Sequence, residues 1–198
     1  MRYETLRART LQQFPRLRIV NRQRSMLLRV LFWPLTVCGV DYSNFATTLG
    51  STIYVPAAWG TWTDLERYQL LRHEKVHVAQ FNLWPIPVRW LWPLNYVLMS
   101  LCYLFAFPVL LTTRAYFERQ AYTQTMLAHH EDGSWSLHNW DAFAEWLART
   151  FSNSSYLWMS RYAPTYEWAR TVQRKILLGD LVSDPNDVVP LEEDDDRN

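Results

Sequence analysis

Residues 63–82 read TDLERYQLLRHEKVHVAQFN. The stretch opens with a capping box. Thr63 can accept from the amide of Glu66, and the Glu66 side chain can reach back to the Thr63 amide. No Gly or Pro follows until Pro85 and Pro87, so the helix is expected to run to about Asn82. His73 and His77, four residues apart, share one face of it and can present two imidazole nitrogens to one ion. Glu74 directly follows the first His. It lies beside the ion rather than on it, where it can take a proton from a water held there. That division of labour is the physical content of the H-E-x-x-H spacing.

Two histidines need a third ligand. Residues 75–117 contain no Asp or Glu, and the first acid after the gap is Glu118, within a second strongly helical stretch at about 112–129. Glu118, Ala121, Tyr122 and Thr125 share one face of that helix, and small Ala121 permits close approach to the first. A carboxylate on a mostly apolar face must find a partner. Zinc is one such partner; a salt bridge with Arg114 or with an N-terminal arginine is the other. His129, eleven residues past Glu118, stands about 16 Å along the helix and cannot share its ion. His129 and His130 read as a helix C-terminus, where His is favourable.

The 198 residues suffice for one domain with a core. Half hydrophobic and 16% aromatic, the chain is not a mainly disordered one. Its eleven Trp suit either a Trp-rich core or a membrane interface. Charge is uneven. Eight Arg (2, 7, 9, 16, 18, 22, 24, 29) stand against Glu4 alone in the first 29 residues, and five acids fall within 192–196. The first expectation for the arm is a solvated face that pairs with acids elsewhere in the fold. The second is peripheral contact with an anionic membrane. No nucleic-acid motif accompanies it, so nucleic acid is not an expected partner. Cys38 and Cys102 lie in apolar surroundings and read as free thiols. The N-terminus lacks the apolar core of a secretory signal, and a cytoplasmic location, with membrane association as an option, is expected.

The expected organisation is a single domain over 1–179, carrying the Arg-rich arm 1–29 and an apolar helical segment 84–113. An acidic, mobile tail over 180–198 follows. The expected class is α+β, mainly α. Helices are anticipated at 2–14, 63–82, 112–129, 139–150 and 164–178, with Pro34 interrupting the apolar stretch 25–37. Thr47, Thr48, Thr52, Ile53, Tyr54 and Val55 flank Gly50-Ser51 as a hairpin. The 24 uncharged residues between Arg89 and Arg114 are long enough to span a bilayer. One crossing would put His77 and Glu118 on opposite sides, however, so a buried or leaflet-dipping helix is preferred.

With these residues in view, the chain resembles the zincin metallopeptidases of the gluzincin type, and more closely the small bacterial minimal gluzincin-like proteins. The likeness spans about residues 45–125. It rests on His73, Glu74, His77 and Gln80, on Phe117-Glu118-Arg119-Gln120-Ala121-Tyr122, and on Thr-Ile-Tyr-Val-Pro at 52–56. The 41 residues from His77 to Glu118 exceed the usual compact spacing. The resemblance implies zinc, hydrolysis of a peptide or protein substrate, and a minimal zincin-like helical domain with a strand above the metal. An edge strand of Thr52, Ile53, Tyr54 and Val55 could pair with an extended peptide through main-chain hydrogen bonds. A donor for the developing oxyanion is also required. Tyr156, Arg161, Tyr162 and His138 are the candidates, and the sequence does not choose among them.

Two other functions compete. A di-iron helical protein would need a second E-x-x-H, and Glu118, Glu131, Glu145 and Glu167 have Ala121, Ser134, Ala148 and Arg170 at the third position on. A non-catalytic zinc protein that binds a membrane surface or a protein partner is the alternative to the peptidase.

Overall fold

The computed structural model describes residues 1–26, 28, 29, 33, 45–83, 108–135, 137–153 and 159–188, without the side chains of 108–113 and 137–138. Pro34, Cys38, Cys102, residues 84–107, Tyr156 and the acidic run at 192–196 therefore lie outside the description. The described chain is mainly helical α+β. Its α-helices are α1 (Arg2–Gln13), α2 (Asp64–Leu83), α3 (Pro108–Glu131), α4 (Leu137–Phe151) and α5 (Tyr162–Leu177). Its strands are β1 (Arg18–Asn21), β2 (Thr47–Leu49) and β3 (Thr52–Val55).

The capping box at the start of α2 forms as the sequence dictates. The Glu66 amide donates to Thr63 Oγ1 at 3.2 Å, and the Thr63 amide to Glu66 Oε2 at 2.7 Å. The Thr63 amide and the Thr63 hydroxyl, which also donates to Glu66 Oε2 at 2.8 Å, hold the Glu66 carboxyl below its ordinary pKa. Helix α3 starts four residues before the expected 112 and ends at Glu131. Residues 108–113 of the expected apolar segment are its first turns. Among the described residues no helix is long and apolar enough to cross a membrane.

The hairpin turns at Gly50, whose φ of 61° favours a residue without Cβ. The expected edge strand is corrected. Thr52–Val55 is the middle strand of a three-stranded sheet, order β1-β3-β2, paired parallel to β1 and antiparallel to β2. Its N–H and C=O groups meet neighbours on both sides, so it cannot take up a further chain. The strand that displaces it from the edge, Arg18–Asn21, lies within the arginine-rich arm. Among the described residues the outer strand on the side of α2 is β2.

Two cores lie on either side of the α2–α3 pair. Tyr3, Leu6, Leu17, Ile53, Val55, Tyr68, Leu71 and Val78 join α1, the sheet and α2. Tyr122, Met126, Trp140, Leu147, Phe151, Val172 and Ile176 join α3 to α4 and α5. Between the cores, Ala121 and Ala128 are fully buried and let α3 lie close to α2.

Part of the arginine arm is engaged within the molecule. Arg2 pairs with Asp132, Arg7 with Glu4 at 3.1 Å, and Arg9 donates to the carbonyl of Val188 at 2.9 Å. Residues 180–188, expected as the start of a mobile tail, dock on α1 and α2. Lys75 pairs with Asp187, Ser183 Oγ accepts from Arg72 at 2.5 Å, and Tyr68 donates to the Asp187 carbonyl at 3.1 Å.

Candidate metal centre

Helices α2 and α3 run antiparallel and bring His73, His77 and Glu118 together. One ligand atom from each lies within 4.8 Å of the others. Glu118 Oε2 is 3.8 Å from His73 Nε2 and 3.7 Å from His77 Nε2. His77 and Glu118 are 2% and 3% exposed.

Neighbouring polar groups favour one tautomer for each ring. Gln80 Nε2 donates to the Phe117 carbonyl at 3.3 Å, which fixes the amide and turns Oε1 toward His77 Nδ1 at 2.9 Å. Thr125 Oγ1, with the Ala121 carbonyl 3.5 Å away as an outlet for its own proton, lies 3.1 Å from His73 Nδ1 and can accept from it. Both rings thus hold their proton on Nδ1 and turn the Nε2 lone pair toward Glu118. Three acceptors then converge, with Glu118 Oε2 at 3.7 to 3.8 Å from the two nitrogens. Neutral imidazoles leave the buried carboxylate facing lone pairs, so the place calls for a cation. The Tyr122 ring stands edge-on to His73, 4.7 Å between centroids, and fixes its plane.

Without a metal a proton serves instead. Burial acts to lower the His77 pKa, but Glu118 outweighs it and raises the value to about 9. For Glu118, burial acts upward, and His77 together with His73 brings it down to about 2. His73 is lowered to about 3 by burial and by His77. One proton shared by His77 and Glu118 is what a divalent ion would displace.

Glu74 is buried and stands outside the ligand group. Its Oε2 accepts from Thr48 at 2.6 Å. The sheet register explains the contact. Thr48 pairs with Ile53, whose side chain points into the core under α2, so Thr48 faces α2 as well. Burial raises the Glu74 pKa, against the opposing pull of His77 and the Thr48 bond.

The centre opens into a cavity of about 310 Å3 whose walls include Phe45, Trp62, Glu66, Gln69, Tyr122 and His129. Of the oxyanion candidates, Arg161 and Tyr162 are exposed at the start of α5 and do not line this cavity. His138 is in the first turn of α4, with its side chain outside the description. Sequence reasoning brought His73, His77 and Glu118 into one group and placed Glu74 beside it. It missed Thr48, whose role depends on strand register, and it gave Thr125 only a place on the Glu118 face.

No protein-family model matches the chain, and no curated protein or solved structure matches it significantly. The His/His/Glu group in a mainly helical α+β fold is the finding that stands.

Proposed function

We propose that the protein is a zinc-dependent metallopeptidase of the gluzincin type, acting on peptides or proteins. One observation carries this reading. Three ligand atoms of the kinds zinc takes converge within 4.8 Å, and a second acid, Glu74, shares the cavity without joining them. A structural zinc site closes with four protein ligands, whereas a hydrolytic one keeps a position open. The donor set of two imidazoles and a carboxylate fits zinc.

When bound, zinc supplies a Lewis acid that polarises water and the scissile carbonyl. The chain does the rest. His73, His77 and Glu118 hold the ion, with ring orientations set by Thr125 and Gln80. Glu74 accepts the proton of the attacking water. Its raised pKa makes it a stronger base than an exposed carboxylate, and Thr48 keeps Oε2 in place. Phe45 and Ala46, which lead into the outer strand β2, line the cavity, so an extended peptide would run beside β2.

The test is metal content beside hydrolysis of an unstructured protein substrate. Glu74→Gln should keep stoichiometric zinc and lose at least about 100-fold in turnover. Glu118→Ala should lose the metal. Absence of stoichiometric metal from the wild-type protein would end the proposal.

A further inference from the structure

The cavity continues past the ligands to a place the mechanism does not use. Its walls there are Gln69, one turn before His73 on α2, and His129, near the end of α3. The two side chains face each other, with Gln69 Nε2 3.2 Å from His129 Nδ1.

The protonation of His129 is fixed from outside. Gln69 Nε2 also lies 3.2 Å from Asp132 Oδ2, and a carboxylate can only accept, so this nitrogen is the amide donor. Asp132 is itself held by Arg2 of α1. The second proton of the amide therefore points to His129 Nδ1, and the Ser134 hydroxyl, whose two nearby acceptors are this Nδ1 at 3.0 Å and the His129 carbonyl at 3.3 Å, can donate to the closer one. A ring whose Nδ1 accepts carries its proton on Nε2. Stacking on Trp135, 3.8 Å between centroids at 14°, locks the ring plane. Burial lowers the His129 pKa to about 4, which keeps the ring neutral. Among the described residues neither His129 Nε2 nor Gln69 Oε1 has a partner. The pocket wall thus holds one oriented donor and one oriented acceptor, side by side and uncharged.

We propose that Gln69 and His129 form a subsite for the main chain of an extended peptide, in which His129 Nε2–H donates to a backbone carbonyl and Gln69 Oε1 accepts from a backbone N–H. This rests on the peptidase reading of the metal centre. Each peptide residue offers one acceptor and one donor, the complement of this pair, whatever its side chain. Gln69 is six residues from the midpoint of His73 and His77, about 9 Å along α2. At about 3.3 Å per extended residue, the subsite meets the chain about three residues from the scissile bond. Asp132, held by Arg2, orients Gln69 and makes no contact with the peptide, so both are positioning residues.

The experiment uses the zinc-loaded full chain and hydroxamate probes. Acetohydroxamate reports on the metal alone, and peptidyl hydroxamates extended by one to four residues on either side report on the cleft. In the wild type, extension to three or four residues on one side should tighten binding by about tenfold. His129→Ala should abolish that gain while zinc content and acetohydroxamate affinity stay unchanged. His129→Gln, which offers an N–H near the place of Nε2, should restore part of it. Gln69→Leu, which keeps a helical side chain of similar size, should lose the gain independently of how His129→Ala folds. Retention of the full gain in both His129→Ala and Gln69→Leu overturns the subsite. Equal weakening of every probe overturns it too. If acetohydroxamate fails to bind zinc-loaded wild type, the open metal position is refuted and the subsite falls with it; that outcome shows already in the shortest probe.

Discussion

Thr48 shows how much a single hydroxyl can decide at the residue scale. In the proposed mechanism Glu74 stays close to the ion without ligating it, and the 2.6 Å bond from Thr48 restrains the carboxylate. Thr48→Val keeps the shape and removes the donor. Turnover should fall about 10-fold with zinc content unchanged, read from steady-state kinetics beside a metal assay. His129 gives a second prediction, on stability. The unfolded chain protonates His near pH 6.5, whereas burial, only partly offset by Asp132, delays protonation of folded His129 to about 4. Between these values the unfolded state binds more protons, so stability rises with pH. The His129 contribution is fully present above pH 6.5 and is lost as pH falls toward 4. Urea unfolding at pH 7 and pH 5 should show a smaller loss in His129→Gln than in the wild type. Motif residues were legible because their spacing alone places them: His73, Glu74 and His77 on one helix, and Glu118 as the first acid after a long gap. The roles of Thr48 and Gln69 were not. Each depends on a partner far along the chain, 26 residues for Thr48 and 60 for Gln69.

Among the elements, α2 carries its own start signal. The reciprocal bonds between Thr63 and Glu66 satisfy donors that open the helix. Thr63→Ala should cost about 1 kcal/mol in denaturant unfolding, with the metal centre, ten residues on, intact. Local signals of this kind explain why the helices were readable to within a few residues. The sheet was harder. The hairpin announces itself through Gly50-Ser51 and the β-branched residues around it. Strand β1 does not, because Arg18-Ile19-Val20-Asn21 pairs in parallel with a strand more than thirty residues away. Nothing local separates a middle strand from an edge strand when the third strand is that distant, and Thr52–Val55 was misplaced for this reason. The consequence is functional. On the proposed peptidase reading, peptide pairing would move from β3 to β2, whose approach residues Phe45 and Ala46 stand in the cavity wall.

For the whole molecule, the back of α2 matters as much as its front. Arg72, adjacent to His73, is 2% exposed. Its guanidinium meets Glu131 Oε2, Gln124 Oε1 at 2.9 Å and Ser183 Oγ at 2.5 Å, and Ser183 in turn donates to Glu131. One buried cation thus ties α2, α3 and the docked C-terminal segment together. Such a network is invisible in the sequence, where Ser183 reads as part of a polar tail and the contacts span 52 to 111 residues. It also separates stability from chemistry. Removing the acid alone leaves a buried charge without its counterion, which costs more than the pair contributes. Glu131→Ala should therefore destabilise the fold by about 3 kcal/mol, while the double variant Arg72→Met/Glu131→Ala, with no charge left to bury, should recover much of that loss. Denaturant unfolding of the wild type, the single variants and the double variant closes the cycle. Because the network lies away from the ligand face of α2, the double variant should still bind zinc stoichiometrically. Loss of zinc in a double variant that remains folded would mean that the C-terminal clasp sets the register of α2 against α3.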